Sequence, residues 1–251
     1  MTDRFDVCHP ITAAWEGGWS DHKADPGGKT MYGITEAVYH AWLKARGLAL
    51  KPVRNISMSE ALQIYREQYW NPTAVKFDLF PGVDLAVYDA SVNSGVSRGI
   101  KWLKASTGSN DHSETVKKIC RARLSFMQSL AIWKTFGKGW GRRVADIEAK
   151  GVAMALAAMG MSETKVREKA AYEAQASAKE ATAAKKVATT TAAASSAPVA
   201  APVVEPSAVT DMTTVWVLVA LVAAGAVATA IFIAKKRAAD ARVEAYNEVA
   251  A

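Results

Sequence analysis

Residues 212–234, MTTVWVLVALVAAGAVATAIFIA, carry no charged side chain. At the helical rise such a run reaches roughly 34 Å, enough for a hydrocarbon core of about 30 Å. A globular helix of that length normally keeps a polar face. The run therefore predicts a transmembrane helix over 211–236 with a short tail, 237–251, behind it. It also confines any globular fold to the residues before it. A second composition shift falls near residue 160: residues 161–210 are Ala-rich and almost free of large apolar side chains. Their first half, SETKVREKAAYEAQASAKEATAAKKVA, is a strong helix former with little apolar stripe and predicts an exposed, semi-rigid helix. Their second half, TTTAAASSAPVAAPVVEPS, predicts an extended, disordered tether.

Charge follows the same division. The chain has 31 Lys and Arg against 24 Asp and Glu, net +7. Through residue 160 there are 21 basic and 15 acidic residues, net +6, and the remainder holds 10 and 9, net +1. Seven of the eight Trp also lie before residue 160. A basic, aromatic-rich domain suits an anionic polymer or a membrane surface, although a mild cationic excess is also an ordinary soluble surface. The two cysteines, Cys8 and Cys120, have no metal-ligand spacing and predict buried free thiols, not a disulfide framework. The N-terminal stretch MTDRFDVCHPITAAWEGG holds no apolar segment of secretory-signal length.

Helix signals dominate the first 160 residues. A helix is expected from Phe5 to Trp15. SMSEALQIYREQYW opens with a capping box, Ser57 with Glu60, followed by helical spacing. GVDLAVYDASVNSG repeats Leu85, Tyr88 and Val92 and stops at Gly95, a C-terminal glycine. SRGIKWLKASTG, SETVKKICRARLSFMQSLAIWKTFG and GWGRRVADIEAKGVAMALAAMG supply three more helices. Period-two alternation is scarce, and the Gly/Pro segment from Asp25 to Gly33 has room for only a small hairpin. The expected fold is mainly α, with at most that hairpin.

EGGWSDHKADPGGKT, residues 16–30, places Glu16 directly after the first expected helix and Asp25 nine residues on. Two carboxyl groups in unlike surroundings are the equipment of glycoside hydrolysis. A carboxyl on a helix end beside Trp15 is partly desolvated, which favours the proton-donating form. An acid on a Gly-rich turn is better solvated and stays ionised, able to hold a water or face a cationic transition state. Thr30 would help to position that water. By spacing alone, however, Asp25 reads equally as the cap of a turn with Pro26 and Gly27, and Glu16 as a surface carboxylate.

EGGWSDHKADPGGKTMYGIT resembles the signature of the glycoside hydrolase family 108 N-acetylmuramidases, a lysozyme-like group that includes phage endolysins. That signature opens E-G-G-aromatic and continues D-P-G-G-x-T and G-I-T. YREQYWNP and DLAVYDASVNSG resemble later blocks of the family, and RLSFMQSLAIWKTFGKGWGRRV resembles the end of its attached peptidoglycan-binding region. The resemblance covers roughly residues 5–150. It implies a lysozyme-like catalytic domain over 1–95 and a helical, peptidoglycan-binding-like region over 96–160. It also implies that Glu16 is the catalytic acid, with Asp25 as second carboxylate and Thr30 beside it. In similar phage-type lysozymes the threonine stands one residue further on. Between Trp102 and Lys118 this chain is shorter than the family often is.

Trp19, Tyr32, Tyr69, Trp70 and Asn93 are candidate substrate-binding residues, each with a competing structural role as a core aromatic or, for Asn93, a helix end. His22 and Asp25 alone make no metal site, and neither a metal nor a cofactor is expected. The expected activity is an endolysin-type N-acetylmuramidase cleaving the MurNAc-β-1,4-GlcNAc bond during host-cell lysis by a bacteriophage. A lytic transglycosylase and a non-catalytic wall-binding scaffold are the rivals. The expected partners are peptidoglycan glycan strands and the lipid bilayer, with a holin-type lysis partner and no nucleic acid. Lys235, Lys236 and Arg237 directly behind the apolar run put the tail in the cytoplasm and the enzyme on the periplasmic side of the bacterial inner membrane. A C-terminal anchor without an export signal would leave it inside, so access to the wall would follow membrane breach.

Overall fold

The structure, a computed structural model, describes residues 3–21, 28–196 and 212–251, with side chains throughout those segments except at 192–196 and 212–226. Two compact units emerge: Met1–Met127 with Ile147–Val166, and Gln128–Asp146 with Arg167–Ala251.

The first unit is mainly helical. Helix α1 (Arg4–Ala13) is capped by Asp3, whose carboxylate accepts from the Phe5 amide at 2.9 Å. It buries Phe5, Cys8, His9 and Thr12, the i, i+3, i+4, i+7 face of a helix packed on a core. Two turn bonds, Trp15 N to Thr12 O and Glu16 N to Ala13 O, unwind its end. Strands β1 (Thr30–Met31) and β2 (Ile34–Thr35) then pair antiparallel as a two-stranded sheet. The expected hairpin thus exists but is centred on Tyr32 and Gly33, at the end of the expected segment. Thr35 caps α2 (Glu36–Ala45) by accepting from Val38 N at 3.3 Å. Helix α3 (Met58–Tyr65) carries the predicted capping box: Ser57 N donates to Glu60 Oε2 at 2.8 Å, and Glu60 N to Ser57 Oγ at 3.2 Å.

Past Tyr65 the helix widens into a π-helical segment, Arg66–Val75, that contains Pro72. A proline lacks the amide for an internal bond, and the wider winding carries the chain past it. Helix α4 (Val83–Ser94) is the hub, buried at every residue from Val83 to Ser91. Its entry passes so close to α7 (Trp133–Ala158) that a Cβ on Gly82 would lie 2.1 Å from the Gly151 carbonyl oxygen. Helix α5 (Val96–Ser106) packs on α4. Helix α6 (His112–Gln128) is tied to α4 by the fully buried Arg123, which donates to Asp89 Oδ2 at 2.5 Å and to Asn93 Oδ1 at 3.1 Å. The unit holding residues 1–95 therefore also holds 96–127 and 147–166.

In the second unit α8 (Glu163–Ser196) and α9 (Met212–Ala250) run antiparallel, because Glu180 pairs with Arg242 while Arg167 Nη1 donates to Ala251 O at 2.7 Å. The Ala-rich helix is not exposed all round. It buries Ala170, Ala174, Ser177, Ala181 and Ala184, a seam of small residues at near-heptad spacing, and α9 buries Ala238, Ala241, Ala245 and Tyr246. Hydropathy misses such a seam because alanine is only weakly apolar. Helix also continues through Thr189–Ser196, where a disordered tether was expected; the rest of that tether, residues 197–211, lies outside the described residues. Among the described residues no helix is long and apolar enough to cross a membrane. The backbone of the expected span, 212–234, lies in α9, and its side chains through residue 226 fall outside the described ones.

Candidate active site

Gly33 marks the centre of the site. Its φ of +74° is left-handed, and a Cβ there would lie 2.5 Å from the Tyr65 hydroxyl oxygen and 2.7 Å from Glu16 Oε2. Glu16, arriving from the unwound end of α1, and Tyr65, arriving from the last residue of α3, therefore meet over the same bare Cα. Tyr65 donates its hydroxyl to the Tyr32 carbonyl at 2.7 Å. Tyr32 is itself left-handed, φ +51°, a conformation that costs a non-glycine residue free energy and persists only where its surroundings hold it. Tyr65 supplies that hold. The hairpin turn is pinned beneath a half-buried Glu16.

Behind this pair lies an aromatic wall. His9 stacks on Phe5 at 5.0 Å between centroids and tilts against Tyr65 at 4.8 Å, with Nδ1 2.7 Å from the Tyr88 hydroxyl. Burial pulls its pKa down from 6.5 to about 4, so His9 stays neutral near pH 7. Tyr69 holds its proton more tightly than an ordinary phenol, first through burial and then through the negative charge of Glu16. The Tyr69 ring lies 5.8 Å from that of Tyr65.

The loop after Glu16 is closed by an isolated bridge. Ser20 N donates to Thr30 O and Thr30 N to Ser20 O, both at 2.9 Å. The bridge fixes both ends of the segment that contains Asp25; residues 22–27, Asp25 among them, lie outside the described residues. Thr30 stands at the sheet edge with its hydroxyl donating to Gly28 O at 3.2 Å. Trp19 is 39% exposed, and the Arg54 guanidinium lies 5.2 Å from its ring centroid. Arg54 sits on the 3-10 turn Val53–Asn55, which packs on β1.

Two sequence candidates stand elsewhere. Trp70 is buried edge-on against Phe5 and Tyr88 at 5.8 and 5.4 Å, a core position. Asn93 spends its side-chain oxygen on Arg123, and Ser94 Oγ also donates to it at 3.3 Å. Conversely, Gly33 and Tyr65 belong to the cluster although neither is a site candidate by sequence: both lie in family-like blocks, but Tyr65 reads there as one more apolar-face aromatic and Gly33 as a turn glycine, and Arg54, against Trp19, carries no local mark at all. Among the described residues no group of acids, histidines and cysteines could hold a metal ion.

The profile of glycosyl hydrolase family 108 matches residues 10–95, the stretch that holds Glu16, Thr30, Tyr32, Gly33, Tyr65, Tyr69 and Asn93. The solved structure of Brucella abortus SagA is 34% identical, over 60% of this chain and 95% of that one, with a TM-score of 0.53. The chain belongs to glycosyl hydrolase family 108. No curated protein matches it. The family 108 match ends at the last turn of α4, and helices α5 to α9 lie outside it. The Glu16–Tyr65–Gly33 cluster is thus part of a glycoside hydrolase domain and not of the appended helices.

Proposed function

We propose that the chain is a peptidoglycan hydrolase, an N-acetylmuramidase that cleaves the MurNAc-β-1,4-GlcNAc bond. The observation that carries this reading is the meeting of Glu16 and Tyr65 over Gly33 inside a family 108 domain: a carboxyl group held at the rim of a neutral aromatic wall by a strained, pinned turn. Glu16 gives its proton to the leaving glycosidic oxygen as that oxygen's bond to the anomeric carbon breaks. Asp25, ionised, faces the oxocarbenium-like transition state. Water then forms the new bond to the anomeric carbon, and its proton passes to a carboxylate. Thr30, at the sheet edge, helps to orient that water. Trp19 offers an exposed ring for sugar stacking, and Arg54 a cation for the carboxylates that wall peptides carry.

Turbidity clearing of purified cell walls tests the reading. Glu16→Gln is expected to lower the rate about a thousandfold, as loss of a general acid does, while unchanged clearing would refute it. Mass spectra of the digest separate the chemistry: hydrolysis leaves reducing muramyl ends, whereas anhydro-muramyl ends would assign a lytic transglycosylase.

The location of the enzyme is also a proposal. The apolar run at 212–234 is its support: it would hold the domain at the bacterial inner membrane until a holin-type partner breaches or depolarises that membrane, as in phage-induced host lysis. Protease access before and after depolarisation tests this, and full protection in both states would rule out release.

A further inference from the structure

From residue 115 to residue 145 the chain carries eight Lys or Arg and no Asp or Glu. The end of that stretch opens α7, in the second unit, and it presents an unusual face. Ile132 and Phe136 are 52% and 54% exposed. Phe136 N donates to Ile132 O at 3.1 Å, so the two side chains stand one helical turn apart. Trp140 follows a turn later, stacked on Phe136 at 5.8 Å between centroids and 6.3 Å from Trp133. Gly137 makes room for this layer, because a Cβ there would lie 2.6 Å from the Trp133 ring. At 3.6 residues per turn, Ile132, Trp133, Phe136 and Trp140 fall within an arc of about 100°. Lys134, Lys138 and Arg142, all exposed, fall on the opposite side. Arg142 pairs with Glu244 at 3.0 Å.

An apolar arc rich in Trp and Phe, backed by Lys and Arg, is the pattern of a helix that lies in the plane of a membrane surface. Indole rings favour the headgroup level, apolar body inward and N–H toward water. The cations are attracted to anionic lipid over a range that salt shortens. A hydrated wall glycan offers little to Ile132, which has neither a hydrogen-bonding group nor a ring to stack on sugar. We propose that the first turns of α7 dock on an anionic lipid bilayer, with Ile132, Phe136 and Trp140 entering the headgroup region and Lys134 and Lys138 conferring the preference for negative charge. The proposal is independent of the catalytic reading.

The test uses the full chain with an environment-sensitive thiol dye on Gly139→Cys. A Cβ at Gly139 meets nothing within 4 Å, and the native Cys8 and Cys120 are buried, so the label reports this helix alone. The probes are vesicles of phosphatidylcholine with and without phosphatidylglycerol, and purified wall sacculi. A blue shift is expected on phosphatidylglycerol vesicles, reversed by high salt. Lys134→Glu with Lys138→Glu, both exposed and tolerant, should weaken it about tenfold, and Ile132→Ser with Phe136→Ser should abolish it. Circular dichroism and an unchanged urea midpoint certify that each variant folds. No dye shift while the chain still sediments with vesicles overturns the proposal, as does an equal shift on neutral vesicles. A shift on sacculi in place of vesicles reassigns the face to wall polymer.

Discussion

At Gly33 a methyl group would meet two oxygens at once, one from the proposed acid and one from the tyrosine that holds the turn. The left-handed backbone adds its own penalty for any side chain. Gly33→Ala is therefore expected to move Glu16 by a fraction of an ångström or more and to cut kcat for wall clearing about a hundredfold, with the melting temperature only modestly lowered. Wild-type kcat in the folded variant would refute the geometry. Arg54→Gln tests the rim: a KM increase on wall substrate with kcat nearly unchanged is expected, since Arg54 lies against the exposed Trp19 ring proposed to stack on sugar. Glu16 stands out in the sequence because a family signature surrounds it. Tyr65 opens the family-like block YREQYWNP but does not stand out within it, because its role comes from where the end of α3 meets a hairpin thirty-odd residues earlier in the chain.

Elements were readable where local chemistry sets them. The Ser57–Glu60 capping box is present as expected, and Ser57→Ala should cost about 1 kcal/mol in chemical denaturation. The α4–α6 connection was not readable. Arg123 reads as an inward position on an amphipathic helix, yet only tertiary packing brings Asp89 and Asn93 to it. Asp89→Ala would leave a fully buried guanidinium without its carboxylate and is expected to destabilise the domain by about 3–5 kcal/mol, measured by urea unfolding. The π-helical stretch after Tyr65 was equally hidden, since its residues have ordinary helical spacing and only Pro72 hints at a change of winding.

For the folded molecule, His9 makes stability depend on pH. In the unfolded chain it takes a proton below about pH 6.5, whereas the folded protein keeps it neutral down to about pH 4. Unfolding therefore takes up a proton between those values, and stability rises with pH across the window. The contribution is complete above about pH 6.5 and is lost as pH falls toward 4, about 3 kcal/mol in all. His9→Gln should flatten that part of the profile by close to one proton, read from urea midpoints at successive pH values; an unchanged slope would show that His9 titrates alike in both states.

The sequence by itself determined the helical class, the Ser57 cap of α3 and the stop of α4 at Gly95, and it marked the carboxyl that follows the first helix. These depend on periodicity, on capping groups within four residues and on one contiguous signature. The break between α6 and α7 lies between Gln128 and Trp133 and not, as the glycines suggest, at Gly137–Gly139. Only the tertiary structure decided that Gly33 and Tyr65 complete the cluster around Glu16, that Trp70 and Asn93 serve packing and an ion-pair network, and that the Ala-rich helix buries a seam. Each of those depends on residues far apart in the chain, or on the close approach that small side chains permit. No local pattern of hydropathy or charge records which distant surface a residue will meet.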